Sequence, residues 1–130
     1  MEQHTIDDEL AQPGAQGLLT SSQLAHVAYL GLDGTPRVIP IGFFWTGDQV
    51  VVCTAATAPK VAVDGVPAEY LAGAGKSFDD EARAAFEQTC RQMYDQMARI
   101  AITPSWARYY HYSTGRAPQF LVDLAAKNLT

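Results

Sequence analysis

The chain has 130 residues, 48% of them apolar and 18% charged, which is the composition of one globular domain. That excludes a disordered chain, a collagen-like chain and a disulfide-stapled mini-protein, and a domain of this size buries roughly two thirds of the surface its unfolded chain exposes. Nine Lys and Arg against fourteen Asp and Glu leave a net charge of −5, with the cations scattered rather than striped, which argues against a nucleic-acid binder.

Taken in chain order, residues 1–17 read as a flexible N-terminal arm, because Gln12-Pro13-Gly14 interrupts any early helix. The acidic Met1–Asp8 lacks the basic start and apolar run of a signal peptide, and no apolar run reaches the ~18 residues of a bilayer span. A cytoplasmic protein is the default expectation. Residues 18–130 then form a single domain. A short helix is expected to start at Thr20–Ser22 on a hydroxyl N-cap and to end near Leu24.

Three strands should follow as an antiparallel meander: Ala25–Leu30, Arg37–Trp45 and Gln49–Ala55, with turns at Asp33-Gly34 and Thr46-Gly47-Asp48. In the second strand, Ile39, Ile41, Phe43 and Trp45 alternate onto one apolar face. The opposite face carries Val38, Pro40, Gly42 and Phe44. Proline removes a ladder donor and glycine a side chain, so the face suits either an edge strand with a bulge, the plainer reading, or a surface that a flat ligand approaches closely.

After Lys60, a short helix is expected over Ala68–Ala72, ended by Gly73 and Gly75. Ser77-Phe78-Asp79-Asp80 resembles a capping box before a helix over Phe78–Gln96, whose stripe is Ala82, Phe86, Cys90, Met93 and Met97. Arg99–Thr103 reads as a strand stopped by Pro104, and Pro118–Leu129 as a C-terminal helix. Cys53 and Cys90 read as two buried thiols, and His4, His26 and His111 lack metal-ligand spacing.

No serine stands in a nucleophile elbow, and Gly73-Ala-Gly75-Lys76-Ser77 lacks the first glycine of a phosphate-binding P-loop. Thr54-Ala-Ala-Thr57-Ala-Pro59-Lys60 is more informative: two hydroxyls, small residues and a cation follow a buried strand, a set that can bind phosphate oxygens. A loop of small residues with one lysine is also common without any ligand.

Leu19-Thr20-Ser21, Leu24-Ala25-His26-Val27-Ala28, Asp33-Gly34-Thr35-Pro36-Arg37-Val38-Ile39-Pro40-Ile41, Val52-Cys53-Thr54 and Pro59-Lys60-Val61, in that order, resemble the pyridoxamine 5'-phosphate oxidase-like family, the flavin-binding split β-barrel superfamily that includes deazaflavin-dependent reductases. Val63–Tyr70 and Met97–Ala107 look like the C-terminal half of some members. In the family two long strands separate the segments that resemble Lys60-Val61 and Val63-Asp64-Gly65, and here the two join almost directly.

The resemblance implies a mainly β domain with flanking helices (α+β), an antiparallel split β-barrel of the FMN-binding type short of two central strands. It implies a homodimer with a flavin, FMN or a deazaflavin coenzyme, at each subunit boundary. Arg37, Val38, Ile39 and Pro40 would lie along the isoalloxazine ring. Thr54, Thr57 and Lys60 would hold the ribityl phosphate, and Trp106 would pack at the site. The function implied is a flavin-dependent oxidoreductase that moves hydride to or from a small organic substrate, with no catalytic side chain assigned. A non-catalytic dimeric binding module that has lost a complete cofactor site is the alternative. Haem, bound by some relatives of this fold, is a weaker third, with His26 and His111 available.

Overall fold

Pro13 opens a helix instead of ending a tail. Its fixed φ and missing N–H suit a first helical turn, where the N–H would have no partner. A computed structural model describes residues 1–56 and 62–128, which cluster into two units, Leu19–Pro104 and the terminal segments Met1–Leu18 with Ser105–Thr130.

The terminal unit contains α1 (Gln3–Leu10), the start of α2 (Pro13–Ser21), a 3-10 turn (Tyr112–Thr114) and α5 (Gln119–Asn128). Much of residues 1–17, expected as an arm, is thus helical, with Ile6 and Ala15 buried. The break at Gln12-Pro13 is real, since α1 stops at Leu10. The expected helix start at Thr20–Ser22 is instead the end of α2.

The central unit carries the strands. β1 (Leu24–Leu30) and β2 (Pro36–Gly42) form a two-stranded antiparallel sheet in unbroken register, from Leu24 opposite Gly42 to Leu30 opposite Pro36. Gly34, at φ 78°, makes the turn between them. Among the described residues β2 pairs only with β1, in a register without a bulge, which is why Pro40 is tolerated.

A second antiparallel sheet has the order β3-β4-β6-β5, from β3 (Phe44–Trp45), β4 (Val50–Ala55), β5 (Ala62–Asp64) and β6 (Gln96–Ile102). α3 (Ala68–Ala74) and α4 (Asp80–Met93) accompany it. Val51 and Cys53 of β4, Met97 of β6, Val66 and Cys90 form the buried core, with Tyr70, Leu71, Phe86 and Tyr94 packed on it. Tyr70, Phe86 and Phe78 meet in series, the first pair tilted and the second edge to face, with ring centroids 6.0 and 5.5 Å apart.

Several expectations change. The strand expected over Arg37–Trp45 is divided at Phe43, so the three-strand meander becomes two separate pairings, β1 with β2 and β3 with β4. At the division Gly73 of α3 lies against the Phe43 carbonyl so closely that an added Cβ would sit 2.6 Å from its oxygen. Of the alternating apolar residues, Phe43 and Trp45 are buried, while Ile39 on the hairpin is exposed. α4 starts one residue after Asp79, whose carboxylate accepts the Ala82 N–H at 2.7 Å, so the cap is Asp79 and not Ser77. α4 stops at Met93, and Met97 meets the core from β6, because strand pairing with β4 claims Met97–Ile102.

The described chain is therefore a mixed α+β fold with five helices and two antiparallel sheets. The expected mainly β character is corrected: helices are at least as prominent as strands. Among the described residues the two sheets do not close on each other into a barrel. Pairing stops at Gly42, and the second edge of β2 has no partner strand among the described residues.

Candidate functional site

β2 presents the first group of expected site residues. Arg37, Val38, Ile39 and Pro40 are consecutive on it and all are exposed, Val38 by 62% and Ile39 by 40%. Alternation along the strand turns Val38 and Pro40 to one face and Arg37 and Ile39 to the other. Arg37 is not free: its Nη2 donates to Asp33 Oδ2 at 3.1 Å across the hairpin turn. Asp33 is held below the ordinary carboxylate range, first by the Thr35 hydroxyl at 2.7 Å, then by the Thr35 amide and by Arg37.

Thr54 belongs to the other sheet. It lies on β4 opposite Ala98, exposed, directly after the buried Val51, Val52 and Cys53. The change from buried valines to an exposed hydroxyl is the feature the sequence announced. β2 and β4 approach each other within the central unit. Thr57 and Lys60 lie outside the described residues. Trp106 belongs to the terminal unit and is 58% exposed.

The concavity beside these strands is small. Gly42, Phe43, Val51, Cys53, Glu69 and Gly73 border a cavity of about 50 Å³, against the ~300–1,000 Å³ of ordinary ligand pockets. No ring system enters it. Glu69 at its edge is tied to Arg99 of β6, and both cysteines are inert by placement: burial raises the Cys53 and Cys90 thiols above their ordinary pKa.

Lys76, in the Gly-Lys-Ser run that lacks a P-loop's first glycine, has a structural task. Its Nζ lies 3.7 Å from the centroid of the Phe43 ring and donates to the Ser22 carbonyl at 2.7 Å. Burial lowers its pKa from the ordinary lysine value.

Sequence reasoning missed a cluster in the terminal unit. Glu9 of α1 accepts from Arg108 Nη1 at 3.1 Å, from Arg116 Nη2 at 2.9 Å and from the Tyr109 amide at 2.7 Å. About a hundred residues separate Glu9 from these partners, and no local spacing signals such a meeting.

Among the described residues no helix is long and apolar enough to cross a membrane. No family model, no curated protein and no solved structure matches the chain.

Proposed function

We propose that the chain is a flavin-dependent oxidoreductase of the pyridoxamine 5'-phosphate oxidase-like type, holding FMN or a deazaflavin and working as a homodimer on a small organic substrate. The observation that carries this reading is the exposed strand β2 within the ordered motifs of Leu18–Val61. Pro40 offers no N–H and Gly42 no side chain, so a planar ring can lie close to that backbone. Val38 supplies apolar contact, and Arg37 is a cation already placed at the strand's start.

The donor types fit the group. Thr54 brings an exposed hydroxyl, and Thr57 and Lys60 follow it in sequence with a second hydroxyl and a cation for a phosphate. Given the small cavity beside Gly42, the ring's place is the open face of β2. A bound flavin supplies the hydride chemistry itself, which leaves the protein to orient and exclude, and needs no acid–base pair of the kind the sequence lacks.

The hairpin also supports the homodimer. Leu24, Leu30 and Val38 are all exposed on one face of it, and a two-stranded sheet is marginal by itself in water. A second copy of the chain would cover this apolar ribbon and complete a site at the subunit boundary.

Titration with FMN and with a deazaflavin, read by quenching of cofactor fluorescence, tests the reading. Wild type should bind one of them at micromolar concentration, and Lys60→Glu should weaken that binding by about tenfold or more, the worth of one charge-assisted contact. Absence of binding by both cofactors would overturn it. The open, unclosed sheets favour one second reading, a dimeric binding module without a cofactor, whose mark would be a stable dimer that takes up no flavin.

A further inference from the structure

The cleft of the terminal unit gathers charge and aromatic surface in one place. Its volume is about 480 Å³, within the range of small-molecule sites. Arg108, Arg116, Trp106, Tyr109 and Tyr110 line it together with Glu9. We propose that this cleft binds a small aromatic carboxylate, with Arg108 and Arg116 on the carboxylate and Trp106 and Tyr110 on the ring.

Charge is the first argument. Two guanidiniums face one carboxylate, so the cleft carries an excess of one positive charge in a chain whose net charge is −5. Glu9 cannot absorb more: both its oxygens are occupied, one by Arg108, the other by Arg116 and the Tyr109 amide. The arginines are not used up. Arg108 gives Glu9 only Nη1, and Arg116 gives Nη2 to Glu9 and Nε to the Tyr109 carbonyl at 3.2 Å. Nε and Nη2 of Arg108 and Nη1 of Arg116 make no hydrogen bond among the described residues, and the two side chains are 43% and 37% exposed.

The geometry of the guanidinium sets the ligand class. A planar fork with free N–H groups matches a carboxylate, and Glu9 already takes one N–H from each arginine. A single excess positive charge matches a single negative one. A phosphate dianion would leave the cleft with a net negative charge beside Glu9.

The ring follows from the walls. Trp106 and Tyr110 are 58% and 40% exposed. Arg116 is already stacked 5.5 Å over the Tyr109 ring, which holds its fork in place before any ligand arrives. Large aromatics left open next to ordered cations are the walls of a ligand cleft, since they give flat apolar contact at little entropic cost.

Phenylacetate is the probe, with 2-phenylethanol as its uncharged counterpart, acetate as the anion without a ring and inorganic phosphate as the dianion. Binding is read by tryptophan fluorescence, to which the exposed Trp106 responds, and by calorimetry, with no flavin added. Phenylacetate should bind at least about tenfold more tightly than the other three, the worth of one charge-assisted hydrogen bond. Arg108→Gln should bring phenylacetate down to the level of 2-phenylethanol, and Arg108→Lys should restore part of the difference. Trp106→Ala should weaken phenylacetate and leave acetate unchanged.

Equal affinity for phenylacetate and 2-phenylethanol, or no loss in Arg108→Gln, would overturn the assignment. Tighter binding of phosphate would overturn the single-charge match. A thermal melt of each variant separates lost contacts from lost fold. Because no flavin is present, the outcome is independent of whether the central unit binds one.

Discussion

Arg99 of β6 reaches one carboxylate oxygen of Glu69 on α3 with two nitrogens, Nε at 3.0 Å and Nη2 at 2.6 Å. The pair ties the helix to the strand beside Cys53, and the two side chains remain 33% and 24% exposed. The Arg99 guanidinium holds the Glu69 carboxyl below its ordinary value of 4.5. A carboxylate with a lowered folded pKa stabilises the fold above its unfolded pKa and loses that contribution as pH falls through the folded value. Glu69→Gln should therefore cost up to about 1 kcal/mol at neutral pH, given solvent screening. The gap between variant and wild type should close on acidification below the ordinary value. Urea melts at neutral and acid pH check this, and a gap that persists unchanged in acid would contradict it.

Gly73 and Gly17 are both helical, yet alanine should act oppositely at the two. At Gly73 a Cβ would stand 2.6 Å from the Phe43 carbonyl oxygen and 3.0 Å from its carbon, which are backbone atoms that cannot swing aside. Overpacking there should cost about 1–3 kcal/mol, more than the helix propensity gained. At Gly17, within α2, nothing lies within 4 Å, so alanine should add about 0.5–1 kcal/mol. Denaturant midpoints moving in the same direction would contradict the contrast.

The two cysteines are free and buried in one core cluster, and burial raises both thiols. Little thiolate forms at neutral pH, and a reagent cannot reach it. An aromatic disulfide reagent should react slowly with the native protein and rapidly with two thiols per chain once it is unfolded. Fast native reaction at either thiol would contradict this placement.

Leu30 and Val38 lie on the same face of the hairpin, 71% and 62% exposed. Replacing either with aspartate removes little from the folded monomer, within about 0.5 kcal/mol. If a second copy covers the ribbon, Leu30→Asp and Val38→Asp should each shift the protein toward monomer in sedimentation velocity. A wild-type protein that is monomeric at high concentration would remove the hairpin as a dimer face.

Elements that announce themselves through local chemistry were legible in the sequence. The β1–β2 hairpin follows from Asp33-Gly34 between apolar runs, β4 from its valines, and α4 from the Ala82, Phe86, Cys90, Met93 spacing. Boundaries failed where a distant partner decided. Met97 continues the helical spacing of α4, yet pairing with Ala55 draws it into a strand. Ile39 alternates correctly with Trp45, but the division at Phe43 leaves it on the hairpin.

The candidate site divides in the same way. Pro40, Gly42 and Thr54 are marked by their neighbours, a proline and a glycine in a strand and a hydroxyl after valines, while Arg37, Val38 and Ile39 are named through the family resemblance. The Glu9 cluster carries no such mark.

The secondary elements with strong local signals, the buried thiols and the charge balance are readable from the residues alone, since these rest on interactions within a few residues. Three features emerge only in the folded chain: the sheets stay separate among the described residues, Gly73 seats the Phe43 carbonyl, and Glu9 gathers Arg108 and Arg116 across about a hundred residues. Those outcomes depend on which distant surfaces meet, and the free energy of such meetings comes from packing and paired charges that no short window contains.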